Sequence, residues 1–154
     1  AAGPKVIEFN VRFGDPEAQV VLPLIDRPLA PLLMAAAEGR LADQVGNPRV
    51  SETASCAVGV VLAAKGYPGD VEVGQPIEGL EHLAHDCPDV LPFFAGVKAS
   101  GNALVTSGGR VMTLVAREAT YEGAVARVYD AVSRVRFAGM QYRRDIGRKA
   151  IAKR

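Results

Sequence analysis

Val6-Ile7-Glu8-Phe9-Asn10-Val11-Arg12-Phe13-Gly14-Asp15-Pro16-Glu17-Ala18-Gln19 is the most informative stretch of the chain. From Lys5 to Phe13 the residues alternate, with Lys5, Ile7, Phe9, Val11 and Phe13 on one side and Val6, Glu8, Asn10 and Arg12 on the other. Successive side chains of a strand point to opposite faces, so this pattern predicts a core strand with one apolar and one mostly polar face. Gly14 ends it. Asp15 is expected to cap a helix, Pro16 to take its first position and Glu17 to complement its positive end. That short helix should run to about Leu22, where Pro23 breaks it.

The polar face carries a usable set of groups. Glu8, Asn10 and Arg12 lie two apart and project side by side. Glu8 offers a carboxylate and Asn10 a carbonyl oxygen, both hard ligands that suit Mg²⁺, and an Asn in place of a second acid leaves room for the charge of a nucleotide's phosphates. Arg12 can hold a phosphoryl or carboxylate oxygen through two parallel hydrogen bonds. Together the three residues suit phosphoryl transfer. A strand with one solvated face accounts for the same residues by cross-strand charge pairing, and periodicity leaves both readings open.

Outward from this segment, a second helix is expected from Pro28 through Leu29, Leu32, Leu33 and Ala36, stopping at Gly39. The stretch from Ala42 to Glu52, with Gly46 and Pro48, reads as a linker and divides the chain into residues 1–43, a connection at 44–53 and a second unit at 54–154. The second unit opens on a Val-rich apolar run, Ala54 to Ala64, expected to be a buried strand ending in the Gly66-Tyr67-Pro68-Gly69 turn. Strands are predicted at Val90–Ala99 and Ala103–Thr106 around the hairpin signal Ser100-Gly101-Asn102. A further strand is predicted at Arg110–Arg117 after the Ser107-Gly108-Gly109 break. Val125, Val128, Val132 and Val135 mark one face of a helix from about Thr120 to Arg134. The fold class is therefore α+β, an antiparallel sheet with a covering helix.

Composition narrows the partners. Among 154 residues, 18 Lys+Arg against 17 Asp+Glu leave a formal net charge of +1. That lacks the basic excess of nucleic-acid binders. The basic run of Arg143, Arg144, Arg148, Lys149, Lys153 and Arg154 is read as a solvated tail. Two cysteines, Cys56 and Cys87, lack the spacing of a disulfide framework or zinc site and suit a reducing cytoplasm. His82, His85 and Cys87 supply too few paired ligands for a metal and are read as part of a local solvated helix. No apolar run approaches the ~18 residues of a membrane span, and the first ten residues have no signal-peptide layout. Because the first strand starts almost at once, an upstream region is expected.

The opening motif, Val6 to Gln19, closely resembles the metal-binding strand of the ATP-grasp superfamily, specifically its phosphoribosylamine–glycine ligase branch. Three further segments are similar to that branch in the same order: Val60-Val61-Leu62-Ala63 leading to Gly66-Tyr67-Pro68-Gly69, then Thr106-Ser107-Gly108-Gly109-Arg110-Val111, then Tyr142-Arg143-Arg144-Asp145-Ile146-Gly147. The resemblance covers nearly the whole chain. Lys65 stands where the branch usually has a small residue, and Arg148 where it has tryptophan.

The resemblance implies the end of an ATP-grasp core followed by the C-terminal domain of a ligase that joins glycine to 5-phosphoribosylamine. ATP would be converted to ADP and phosphate, with glycyl phosphate as the intermediate. It assigns Glu8 and Asn10 as ligands of Mg²⁺ (or Mn²⁺) and Arg12 as the group that stabilises the transferred phosphoryl. Asp15, Gly108, Gly109 and Arg110 are weaker candidates for the substrate, the glycines with Arg110 through a nest of backbone N–H groups, while helix capping accounts for Asp15 and a plain tight turn for the two glycines. The phosphate-holding lysines, the glycine-rich lid and the amine-binding domain would belong to the N-terminal portion of the same enzyme, so this chain alone should not catalyse. Another ATP-grasp ligase or carboxylase, and a non-catalytic α+β binding module, are the alternatives.

Overall fold

The computed structural model describes residues 3, 5–45 and 56–151. Two short helices and a 3₁₀ turn come first: α1 (Glu17–Val21), the turn Leu22–Leu24, and α2 (Leu29–Ala37), followed by α3 (Leu41–Val45). The order then continues β1 (Cys56–Ala63), α4 (Leu80–Asp86), β2 (Leu91–Phe94), β3 (Val97–Ser100), β4 (Ala103–Thr106), β5 (Arg110–Glu118), α5 (Tyr121–Arg134) and α6 (Arg148–Ile151). This is the α+β architecture expected. The expected linker lies mostly at 46–55, outside the described residues, and α3 runs into its beginning.

The strand expected at Lys5–Phe13 does not form. The segment belongs to no strand, and its apolar side chains face solvent, with Ile7 and Val11 each 96% exposed. Alternation describes which way side chains point, whereas a strand exists only when a neighbour takes its backbone N–H and C=O groups. No such neighbour is present among the described residues.

A three-stranded antiparallel sheet organises the rest, in the order β1-β5-β2. β5 lies in the middle and is buried on both faces, which explains its nearly continuous apolar run Val111-Met112-Thr113-Leu114-Val115-Ala116. Val58, Val60 and Leu62 of β1 pair with Ala116, Leu114 and Met112 of β5. They join Ala124, Val128, Ala131 and Val132 of α5 in one core. Thr120 caps α5, its side-chain oxygen accepting from the Gly123 N–H at 3.1 Å. The opposite face meets α1, where Val20 packs into a notch left by Gly59 beside Thr113 and Val115. β2 carries Pro92 at the sheet edge, where its missing N–H costs no ladder bond.

The expected Val90–Ala99 strand is two strands. β2 pairs with β5, then the chain turns at Ala95-Gly96 and β3 pairs with β4 across the Gly101-Asn102 turn. The break follows from close packing: a Cβ on Gly96 would stand 2.7 Å from the Gly108 Cα and 2.8 Å from the Arg110 carbonyl oxygen.

Arg127 of α5 pairs with Asp89 and, at 3.2 Å, with Asp130, while Arg134 pairs with Asp86, tying the end of α4 and the loop after it to α5. A hydrogen bond with His85 holds the Asp86 carboxyl below its ordinary value of 3.8, and hydrogen bonds from Arg127 do the same for Asp89. Both folded-state values are depressed, so their contribution is present above the ordinary carboxylate range and is lost as pH falls through the lowered values. In denaturant melts we expect stability to fall off below about pH 4. The gap between wild type and Arg127→Met should close over the same range.

Gly66 opens the Gly66-Tyr67-Pro68-Gly69 turn with φ +92°, and a Cβ there would meet the Asp70 carbonyl oxygen at 1.8 Å. Gly66→Ala therefore forces the backbone itself to move. Its melting temperature is expected to fall by roughly 5–10 °C, measured by circular dichroism.

Candidate functional site

Hydrogen bonds between side chains two apart bring Glu8, Asn10 and Arg12 together on one side of the chain. Asn10 Nδ2 donates to Glu8 Oε1 at 2.7 Å, and Arg12 Nη1 donates to Asn10 Oδ1. All three side chains are exposed. The trio thus forms a polar edge on which the second carboxylate oxygen of Glu8 has no partner among the described residues.

This donor set fits a hard cation in one specific way. Mg²⁺ commonly takes one or two protein oxygens and fills its other positions with water and substrate phosphates. Glu8 and Asn10 supply such a pair once the Asn10 amide turns its oxygen toward the Glu8 carboxylate. Among the described residues no group of three or more His, Cys, Asp or Glu is placed to hold an ion without such help. His82, His85 and Cys87 accordingly do not form a metal cluster. His85 pairs with Asp86 at 2.8 Å, and Cys87 is buried at the end of α4, where desolvation pushes its thiol pKa up.

Asp15 does not cap α1. Pro16 takes that position, with no side-chain cap, and the Asp15 carboxylate turns elsewhere. Arg110, the first residue of β5, donates from Nη1 to the Asp15 carbonyl oxygen at 2.8 Å and pairs through Nη2 with Asp15 Oδ2 at 3.0 Å. Gln19 Nε2 donates to Asp15 Oδ1 at 2.9 Å. The opening segment and the sheet thereby meet at a charged junction.

That junction forms one end of a cleft of about 420 Å³ lined by Pro16, Val61, Ala63, Tyr67, Arg110, Gln141, Tyr142 and Arg143. β1 supplies its apolar floor. Tyr67 comes from the turn after β1, and Gln141 pairs with the edge of β1 through two backbone hydrogen bonds to Ala63, at 2.8 and 2.9 Å. Tyr129 of α5 holds the following residues, donating to the Arg143 carbonyl at 2.7 Å and accepting from the Ile146 N–H at 3.1 Å. Arg143 and Asp145 form a two-bond pair at 2.9 and 2.7 Å. The Asp145 partner raises the pKa of Arg143, while the guanidinium holds the Asp145 carboxyl below its ordinary range. Arg144 stacks over the Tyr142 ring at 5.5 Å. The lining of the cleft is thus mostly apolar, and the two guanidinium groups that reach it, of Arg110 and Arg143, are each paired with a carboxylate, Asp15 and Asp145.

Gly108 and Gly109 are set by packing. Neither has a positive φ. A Cβ on Gly109 would meet Tyr67 Cδ2 at 2.6 Å, and Gly108 lies against Gly96. Small residues here let Tyr67 lie close to the strand and face the cleft.

Residues 57–149 match the family described as phosphoribosylglycinamide synthetase, C domain. The chain belongs to that family. Its full length is 46% identical to a phosphoribosylamine–glycine ligase of Halalkalibacterium halodurans, of which it covers 34%. A phosphoribosylamine–glycine ligase of Streptomyces coelicolor is 49% identical over 149 residues, 96% of this chain and 35% of the relative. The crystal structure of phosphoribosylamine–glycine ligase from Thermotoga maritima superposes with a TM-score of 0.73 at 36% identity, covering 92% of this chain and 33% of that one. The chain spans about a third of the length of the curated relatives it matches.

Within the C domain, sequence reasoning missed Tyr67 and the Gln141–Arg143 run as cleft residues. Tyr67 had an adequate explanation as part of a turn, and the Tyr142–Gly147 segment offers no periodicity to place it. The available signal was that Tyr67, Tyr142 and Arg143 belong to the same set of matching segments as Arg110, whereas Gln141 lies just outside it. No single helix among the described residues is long and apolar enough to cross a membrane.

Proposed function

We propose that this chain is the C-terminal part of an ATP-dependent carbon–nitrogen ligase that joins glycine to 5-phosphoribosylamine. The products are glycinamide ribonucleotide, ADP and phosphate, formed through glycyl phosphate in purine biosynthesis. One observation carries the reading: four separated segments, around Asp15-Pro16, Tyr67, Arg110 and Gln141–Arg143, converge on one cleft. The names and identities of the relatives support the same reaction. The remainder of the enzyme would supply the phosphate-holding lysines and the amine-binding domain, and would give residues 5–13 the strand neighbour they lack among the described residues. This chain alone would then be inactive.

In this reading Glu8 and Asn10 hold Mg²⁺ (or Mn²⁺), which when bound screens the nucleotide phosphates. Arg12 donates to the oxygens of the phosphoryl group as it passes to the glycine carboxylate, stabilising charge that grows in the transition state. The Asp15–Arg110 pair and the Gly108-Gly109 turn shape the cleft beside the substrates, the pair being engaged with each other. The cleft walls exclude water from the acyl phosphate while the amine attacks its carbonyl carbon and phosphate leaves. Cys56 and Cys87 are both free thiols, which fits a cytoplasmic enzyme.

Isotope-labelled glycine tests the reaction directly. With the intact enzyme, label should enter an amide product only when ATP and 5-phosphoribosylamine are both present. ADP release that proceeds equally well with another carboxylate in place of glycine would assign the chain to a different ATP-grasp enzyme.

A further inference from the structure

Two arginines of β5 grip the backbone on either side of α1. Arg110 donates to the Asp15 carbonyl oxygen at 2.8 Å, and Arg117 donates through Nη1 to the Pro23 carbonyl oxygen at 2.8 Å. Between these points Val20 drops into the notch at Gly59, where even a methyl group would stand 2.7 Å from Val20 Cγ2. The Asp15 carboxylate is fixed from two sides, by Arg110 Nη2 at 3.0 Å and Gln19 Nε2 at 2.9 Å. Both terminal nitrogens of Arg110 are therefore committed to Asp15. Gly14 is tied to the same helix, its carbonyl oxygen accepting from the Ala18 N–H at 2.9 Å. Only Phe13 stands between Gly14 and Arg12, so the end of the polar edge lies two residues from the clasped start of α1.

We infer that Arg110 and Arg117 form a two-point clasp through which the C domain sets the position of Glu8, Asn10 and Arg12, making Arg110 a positioning residue that acts through Asp15. This rests on the ligase reading for its catalytic consequence, while the clasp itself is independent of that reading. A guanidinium suits the task because its fork takes a carbonyl and a carboxylate oxygen of one residue at once, which a lysine ammonium does with less directional control.

The test uses the intact enzyme with Arg110→Ala, Arg110→Lys, Asp15→Ala and the Arg110→Ala/Asp15→Ala pair. Two readouts are followed, steady-state kinetics and amide hydrogen exchange across residues 17–21. Arg110→Ala should lower kcat roughly 10–100-fold, as removal of a group that orients metal ligands does. KM for the amine should stay near its wild-type value and the Mg²⁺ requirement should rise. Arg110→Lys should recover part of kcat, and the double variant should lose little beyond Asp15→Ala, because the two residues act as one unit.

Exchange across 17–21 should speed up in Arg110→Ala. A raised amine KM with kcat retained, together with additive losses in the double variant, would make Arg110 a substrate-contacting residue and overturn the inference. If wild type shows no glycine-dependent turnover, the ligase reading fails on its own. Exchange then still decides the clasp, and unchanged exchange in Arg110→Ala would remove it.

Discussion

On the proposed ligase reading, replacing Glu8 with Ala in the intact enzyme is expected to lower kcat for glycine-dependent ADP release by about a hundredfold or more, a loss of roughly 2.7 kcal/mol in transition-state stabilisation. The size follows from chemistry: Glu8 is the only carboxylate on the polar edge made with Asn10 and Arg12, so its removal leaves one neutral oxygen to hold a divalent cation. Glu8 is exposed and carries no core contact, so the folded state should be unaffected. Raising Mg²⁺ should restore part of the rate in Glu8→Gln, which keeps a carbonyl oxygen, and less in Glu8→Ala. Steady-state rates at several Mg²⁺ concentrations check this, and a rate unchanged in Glu8→Ala would return residues 8–12 to the reading of a solvated face.

Leu114→Ala has the largest expected effect on folding. Leu114 is fully buried in the central strand, paired with Val60 on one side and Pro92 on the other, and belongs to the core that α5 covers. Truncating it removes buried apolar surface and leaves a cavity that two flanking strands prevent from collapsing. The cost is expected at roughly 2–5 kcal/mol. Equilibrium denaturation should show a lower midpoint with a similar slope, whereas Val73→Ala, at a position 48% exposed, should change stability little.

Much of the sheet was legible because its signals are local. The Val-rich run of β1, the Gly101-Asn102 turn, the strand that follows the Ser107-Gly108-Gly109 break and the valine stripe of α5 each follow from neighbouring residues. What could not be read depends on residues far along the chain. Lys5–Phe13 alternates as a strand should, but strand formation needs a partner that sequence periodicity does not supply. Asp15 has the chemistry of a helix cap and was read as one, yet Arg110, distant in sequence, recruits its carboxylate. The Gly96–Gly108 approach that splits β2 from β3 is likewise a tertiary contact, between a glycine inside the expected strand and one in the break before β5.

The site shows the same division. The side-by-side arrangement of Glu8, Asn10 and Arg12 was expected from a period of two and is kept in the unpaired segment by hydrogen bonds between the side chains, so it survived the failure of the strand assignment. The cleft did not emerge from spacing, because its walls come from the start of α1, the turn after β1, the start of β5 and the segment held on Tyr129. Matching several separated segments to one ligase branch indicated a common site without showing how Gln141–Arg143 reaches it. That requires the pairing of Gln141 with the edge of β1.

The central claim is that the edge formed by Glu8 and Asn10 holds the divalent cation of a ligase. Electron paramagnetic resonance of Mn²⁺ with the intact enzyme and ADP tests it most directly, because the signal of free Mn²⁺ diminishes when the ion binds. Compared with ADP alone, wild type should lower the free Mn²⁺ signal further and Glu8→Ala should not at the same concentrations. Equal uptake by the two proteins would contradict the claim and place the metal on other residues.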